Sequence, residues 1–247
     1  MQNKLKDAVV LITGSSRGIG RATLEEFLDY GAKVILHSRR PVKELETIAK
    51  RYPEGQVYPV SADLSKPEDC SFLLKSVIDK FGKLDILVNN AGIIYREQEI
   101  LPNSSTWQNT LQVNLLAIVE LIRMSVPYLN KSEIASIVNV SSIYGTVGTL
   151  ETLSYSVSKG GINTLTRTLA KEYAPKIRVN AVAPGNVDTE LTKSGGEKVS
   201  TYFNEVTPLK RSATPQEIAS GIVFLASPAA SFITGQILTI DGGYSIR

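Results

Sequence analysis

The 247-residue chain has one cysteine (Cys70), one histidine (His37) and one tryptophan. A lone cysteine excludes an internal disulfide, and with one histidine it leaves no His/Cys cluster for a metal. Excess charge is also scarce, since 27 Lys and Arg against 24 Asp and Glu leave a formal net charge of +3. So small an excess argues against nucleic acid or an anionic membrane as partner. No apolar run approaches the roughly 18 residues that argue for a membrane span. The polar stretch 1–7 lacks the apolar core of a signal peptide. A reducing, cytoplasmic location fits these absences.

Hydrophobic residues make up 43% of the chain and charged residues 21%, ordinary values for a globular protein. No linker or low-complexity tract divides it, so residues 1–247 read as one domain. Short apolar runs alternate with longer amphipathic ones throughout. Segments 8–13, 33–37, 56–61, 85–89, 134–141, 177–181 and 236–240 read as strands, mostly without the polar alternation of a half-exposed sheet. Segments 18–30, 42–51, 67–81, 103–129, 152–173 and 215–226 read as helices. Ser65-Lys-Pro67 and Thr214-Pro215 place caps before first-turn prolines, and Gly31 and Gly82 sit where helices should stop. This alternation forces parallel pairing with right-handed crossovers. It yields a doubly wound α/β fold, a seven-stranded parallel sheet with helices on both faces. One stretch, Asn186 to Ala213, breaks the rhythm and reads as a functional lid. Gly195-Gly196 offers it a hinge, and Leu191, Val199, Tyr202 and Phe203 offer it an apolar underside.

The first strand runs into Thr13-Gly14-Ser15-Ser16-Arg17-Gly18-Ile19-Gly20, and a helix follows at once. Glycines at 14, 18 and 20 allow a tight turn, close approach to a pyrophosphate and close helix–sheet packing. The free N–H groups and dipole of the helix N-terminus favour that anion. Strand two ends in Leu36-His37-Ser38-Arg39-Arg40, with no acid between Lys33 and Lys43. A free ribose 2′-hydroxyl meets an acid at this position, whereas a 2′-phosphate meets arginine. Arg39, with Arg17 from the glycine turn, therefore points to NADP(H). His37 itself reads as a strand-end residue with nothing nearby to pair with it.

Tyr155 and Lys159 stand four apart on a predicted helix, so they share a face. An adjacent ammonium stabilises tyrosinate and lowers the phenol from its usual pKa of ~10. Such a tyrosine donates a proton to a carbonyl during reduction, or removes one during oxidation. Ser142 ends strand five and Asn90 follows strand four, both at the edge where open α/β sheets bind ligands.

These residues resemble the short-chain dehydrogenase/reductase family. The resemblance spans the chain through Thr13–Gly20, Asn89-Asn90-Ala91-Gly92, Asn114, Ser142, Tyr155-Ser-Val-Ser-Lys159, Pro184-Gly185 and Asp241-Gly242-Gly243. It implies a Rossmann-type fold and Tyr155 as general acid/base. Lys159 becomes modulator of the tyrosine and ribose ligand, Ser142 a hydrogen-bond partner of the substrate oxygen, and Asn114 the holder of a relay water. It implies a cofactor site of Gly14, Ser16, Arg17, Gly18, Ile19, Gly20, Ser38, Arg39, Asp63, Leu64, Asn90, Ala91, Gly92, Tyr155, Lys159, Pro184, Gly185, Val187 and Thr189. Asp63 and Leu64 would meet the adenine, and Val187 and Thr189 the nicotinamide carboxamide.

Within the family the chain is most similar to 3-oxoacyl-carrier-protein reductases and related carbonyl or sugar-alcohol dehydrogenases. Their basic residues before strand five shrink here to Lys131, opposed by Glu133, with Lys176 nearby in the sequence of strand six. That leaves an acidic carrier protein a thin positive patch. The expectation is an NADP(H)-dependent oxidoreductase of a small carbonyl or secondary alcohol. Its alternatives are an NAD-linked sugar or polyol dehydrogenase and a non-catalytic dinucleotide sensor. The consecutive apolar residues Ile222, Val223, Phe224 and Leu225 cannot all face one core, which points to a homo-oligomer. The family resemblance makes it a tetramer.

Overall fold

All seven Val- and Ile-rich segments form strands. The computed structural model describes residues 4–96, 101–193 and 196–246. The strands are β1 (Val9–Ile12), β2 (Lys33–Ser38), β3 (Val57–Ser61), β4 (Ile86–Asn89), β5 (Ser136–Val140), β6 (Arg178–Pro184) and β7 (Ile237–Ile240). They make one parallel sheet in the order β3-β2-β1-β4-β5-β6-β7. β1, β4 and β5 are buried along their whole length, as their lack of alternation requires. β3 carries Pro59, which is tolerated because this strand is an edge. β6 runs three residues beyond its expected end at Ala181. Its last residues pair with β7 through Pro184 and Ile240, and a terminal proline does not interrupt the ladder.

The helices are α1 (Gly18–Asp29), α2 (Val42–Ala49), α3 (Pro67–Phe81), α4 (Ser104–Leu111), α5 (Ala117–Leu129), α6 (Tyr144–Val147), α7 (Leu153–Tyr173), α8 (Glu190–Lys193), α9 (Glu197–Val206) and α10 (Pro215–Ala226). Leu24 and Phe27 of α1, Leu45 of α2 and Ile218 and Ile222 of α10 fill the core on one face of the sheet. Leu73 of α3, Leu121 of α5 and Ile162 of α7 fill the other.

One expected cap forms, and other local expectations change. The Thr214 cap forms in full, with Glu217 completing a capping box. Ser65 does not cap α3: the N-cap residue is Lys66, without a side-chain cap bond, and Asp63 takes the Ser65 amide instead. The helix expected over 103–129 contains a π-helical turn at Gln112–Leu116 between α4 and α5. Ser104–Leu129 is long and apolar enough to cross a membrane, an 18-residue window of it having mean hydropathy 1.2, although polar residues interrupt it. Here it is a core helix, since Ile118, Leu121, Ile122 and Leu129 are buried against the sheet and α3.

On α10 only Phe224 of the four consecutive apolar residues is left partly exposed, a smaller surplus than expected. Ile222, Val223 and Leu225 are all buried within the one chain, because α10 packs beside α1 on the sheet. The exposed apolar side chains lie elsewhere: Leu116, Val119 and Leu150 on one set of elements, Phe232, Leu238 and Ile246 on another.

Candidate active site

Between β1 and β4 the strand order reverses, so their connections leave in opposite directions and open a crevice at the C-terminal edge. The glycine turn forms its floor. Gly14 and Gly18 take φ of 66° and 54°, left-handed values that favour glycine. Asn90 straps the turn down, its Nδ2 donating to Thr13 O at 2.8 Å and Gly14 O at 3.1 Å. Thr13 Oγ1 accepts in return from the Asn90 and Ala91 amides, at 3.0 and 2.9 Å. A Cβ on Gly20 would sit 2.4 Å from Gly14 O and 2.5 Å from Asn90 Nδ2. That packing draws the start of α1 down onto the turn. α1 has no side-chain cap, so its first amides have no partner within the helix. A dinucleotide pyrophosphate fits this cradle.

His37 departs from expectation. It is buried, and both ring nitrogens have partners: Gly14 N at 3.0 Å from Nδ1 and Ala62 O at 3.2 Å from Nε2. β2 brings it beside the turn 23 residues earlier in the chain, a neighbour that local sequence does not reveal.

At the adenosine end, Arg40 pairs with Glu44. Burial opposes ionisation of Asp63, but bonds from Ser65 and then the charges of Arg39 and Lys66 hold its carboxyl below the ordinary value. Arg17 forms an ion pair with Glu190 of α8, both largely exposed. Of the two arginines expected to meet a 2′-phosphate, Arg39 acts on Asp63 and Arg17 is already engaged by an acid of α8.

At the other end, Ser142 follows β5 and faces α7. A Cβ on Gly145 would lie 2.7 Å from the Lys159 carbonyl carbon, so α7 packs hard against this loop. The Ser142 hydroxyl lies beside that of Tyr155, where it favours the tyrosinate. Lys159 Nζ donates to Val140 O at 2.7 Å and lies 5.4 Å from the centre of the Tyr155 ring. The balance of charge is not the one expected. Burial pushes Tyr155 up to about 12, against the opposing effect of Ser142, and pushes Lys159 down to about 8. Removal from water disfavours both ions and dominates both shifts. Tyr155 therefore rests protonated, as a proton donor.

Asn114 sits fully buried in the π-helical turn. Its Oδ1 accepts from Ile93 N and its Nδ2 donates to Ile93 O, both at 2.8 Å, so it clamps the loop after β4. A side chain on Gly92 would come within 3.4 Å of Asn114 Oδ1 and 3.6 Å of Lys159 Nζ. Glycine leaves that space open between them.

One cleft of about 710 Å³ unites these features. It collects every expected cofactor residue, from Gly14 through Asp63, Asn90 and Lys159 to Pro184 and Thr189, together with Ser142 and Tyr155. Asn114 stands just behind its wall. Sequence reasoning missed His37, Glu190 and Gly145, whose roles depend on partners distant along the chain.

The expected lid over 186–213 contains two helices, α8 and α9. Leu191 and Thr192 line the cleft. Phe203 is buried between the rings of Tyr144 and Tyr244, at 6.4 and 5.1 Å, and Tyr202 is half exposed. Gly195 and the side chain of Val199 lie outside the described residues. Away from the cleft, Glu133 lies 4.0 Å from Lys176, while Lys131 sits over the Tyr128 ring. Expectation paired Glu133 with Lys131, but the approach of β6 to the loop before β5 gives it Lys176.

A family model described as enoyl-(acyl carrier protein) reductase matches residues 14–245. The chain is 39% identical to the 3-oxoacyl-[acyl-carrier-protein] reductase FabG of Thermotoga maritima, over 98% of this chain and 100% of that protein. Its fold is similar to a ligand-free aldohexose dehydrogenase of Thermoplasma acidophilum, with TM-score 0.89 and 35% identity over 98% of this chain and 96% of that one. It is also similar to a short-chain glucose/ribitol dehydrogenase of Brucella melitensis, with TM-score 0.93 and 33% identity over 99% of each chain.

Proposed function

This chain belongs to the short-chain dehydrogenase/reductase family, and on that premise we propose that it is an NADP(H)-dependent reductase of a small ketone or 3-oxoacyl group. One observation carries the reading: a single cleft joins the glycine cradle and Arg39 to Ser142, Tyr155 and Lys159. Pro184, Gly185, Val187 and Thr189 would hold a nicotinamide, which would supply the hydride for the carbonyl carbon. Ser142 holds the carbonyl oxygen, and Tyr155, protonated at neutral pH, transfers its proton there. The Lys159 ammonium stabilises the tyrosinate left behind. Asn114 and Lys159 flank the space beside Gly92, where a relay water would return a proton towards Tyr155.

The reading is tested by following NADPH absorbance with a panel of ketones and 3-oxoacyl thioesters. Arg39→Asp should weaken NADPH binding about tenfold or more, the usual worth of a bond to a charged group, and favour NADH. Tighter binding of NADH by the native protein would refute the NADP(H) assignment.

A second reading, an NAD-linked sugar or polyol dehydrogenase, draws on the Arg17–Glu190 pair and on the sugar dehydrogenases of similar fold. NAD-dependent oxidation of aldoses or polyols by the native protein would favour it. For a carrier-bound substrate, Lys176 is already close to Glu133, which supports free small carbonyls over a docked acidic carrier.

Two structural features complete the proposal, and one sample tests both. The exposed apolar faces around Leu116 and Leu238 support a homotetramer, so light scattering should find four chains and a monomer would exclude it. The segment 186–213 closes over the substrate, so hydrogen exchange at 201–206 should slow when NADP(H) and a substrate analogue bind. Equal exchange in both states would leave it a fixed wall. The buried, free Cys70 accords with a reducing, cytoplasmic setting.

A further inference from the structure

The only histidine takes no part in the chemistry proposed above, yet it is buried and both ring nitrogens are engaged. Nδ1 lies 3.0 Å from the Gly14 amide nitrogen, which can only donate, so Nδ1 is the acceptor. Nε2 lies 3.2 Å from Ala62 O, which can only accept, so Nε2 carries the proton. The two contacts select one neutral tautomer. They also reach in opposite directions. One grips the residue where the chain turns left-handed, and the other grips the chain just before Asp63 and Leu64. Main-chain bonds run alongside: Ser15 N donates to His37 O at 2.9 Å, and His37 N donates to Ser15 Oγ at 2.9 Å. The turn is thus tied to β2 beyond the end of β1.

Granted the dinucleotide-binding reading, we propose that His37 is a positioning residue for the dinucleotide. Its neutral ring holds the Gly14 turn and the 62–64 segment at the spacing needed by the pyrophosphate and adenine halves. The imidazole acts through Gly14 and Ala62. Protonation would set a second N–H against the Gly14 N–H, donor against donor, and release the turn. The charged groups acting on the ring are Asp63, after β3, and Asp69, on α3, and both favour the cation. From the β1–α1 turn, the neutral Gly14 and Ser15 bond to it. Burial outweighs the carboxylates and lowers the ring to about 4. The clasp therefore holds at neutral pH and loosens towards pH 4.

With one histidine in the chain, ¹⁵N-imidazole labelling gives one unambiguous pair of ring signals. They should report an unprotonated Nδ1 and a protonated Nε2, persisting well below the ordinary midpoint of about 6.5. His37→Leu removes both bonds. His37→Asn keeps an acceptor, Oδ1, on the same carbon that carries Nδ1. In the Leu variant the Gly14 amide should exchange faster, and dinucleotide affinity should fall about tenfold, the loss appearing in KM for the dinucleotide more than in kcat. The Asn variant should restore Gly14 protection and part of the affinity, and should lose the acid-dependent weakening of the native protein. A protonated Nδ1, or wild-type affinity in the Leu variant, overturns the inference. So does a folded Asn variant that leaves the Gly14 amide as unprotected as the Leu variant does. If the Leu variant does not fold, the ring tautomer and the pH profile of the Asn variant decide. If the native protein binds no dinucleotide, the function proposed above falls; if it binds and the variants bind equally, this inference alone falls.

Discussion

Tyr155→Phe should bind the dinucleotide as the native protein does and turn over about 10²–10⁴-fold more slowly, the usual contribution of a positioned general acid. The substitution keeps the ring that packs at 5.4 Å from Lys159 Nζ and removes only the hydroxyl beside Ser142. Because burial holds Tyr155 near 12, the proton is present throughout the neutral range and turnover is not limited by its loss there. Lys159→Ala should damage both binding and turnover. It removes the ammonium that stabilises tyrosinate and opens a buried gap where Nζ held Val140 O. Steady-state kinetics with a separate dinucleotide titration distinguishes the two effects. Near-native turnover by the Phe variant would remove Tyr155 from the mechanism.

Gly20→Ala should abolish dinucleotide binding at concentrations that saturate the native protein, although it adds a single methyl group. The new Cβ would meet Gly14 O at 2.4 Å and Asn90 Nδ2 at 2.5 Å. Neither can retreat freely, since one is backbone and the other is bonded to Thr13 O and Gly14 O. The turn must open or α1 must lift, and either displaces the first-turn amides from the anion they would bind. Overpacking of this kind costs about 1–3 kcal/mol, with about 2–4 °C of Tm per kcal/mol at this chain size. Calorimetry and a binding titration read the two consequences separately. A variant with native Tm and native affinity would show that the close packing has no bearing on the cradle.

The boundary of what the sequence reveals runs along contact distance. The helix over Pro67–Phe81 ends at Gly82, as expected, because the first-turn proline and the left-handed glycine each act on the backbone at their own end of the helix. The shared face of Tyr155 and Lys159 follows from a spacing of four within one helix. The π-helical turn around Asn114 was not legible, because one extra residue in a turn barely alters the pattern of apolar positions. Nor was the sign of the Tyr155 shift, since spacing says that a cation is near but not how dry the pocket is.

By itself, the sequence determined the order of strands and helices, the parallel sheet, the glycine turn and the set of side chains at one sheet edge. Each depends on periodicity, on backbone freedom or on partners within a turn or two. Only the tertiary structure decided that His37 clasps Gly14, that Arg17 is held by Glu190 173 residues away, and that α10 buries residues expected at a subunit contact. Those outcomes depend on which elements the sheet order brings together, and on how completely they exclude water. Both are properties of the packed chain, and no local window of residues encodes them.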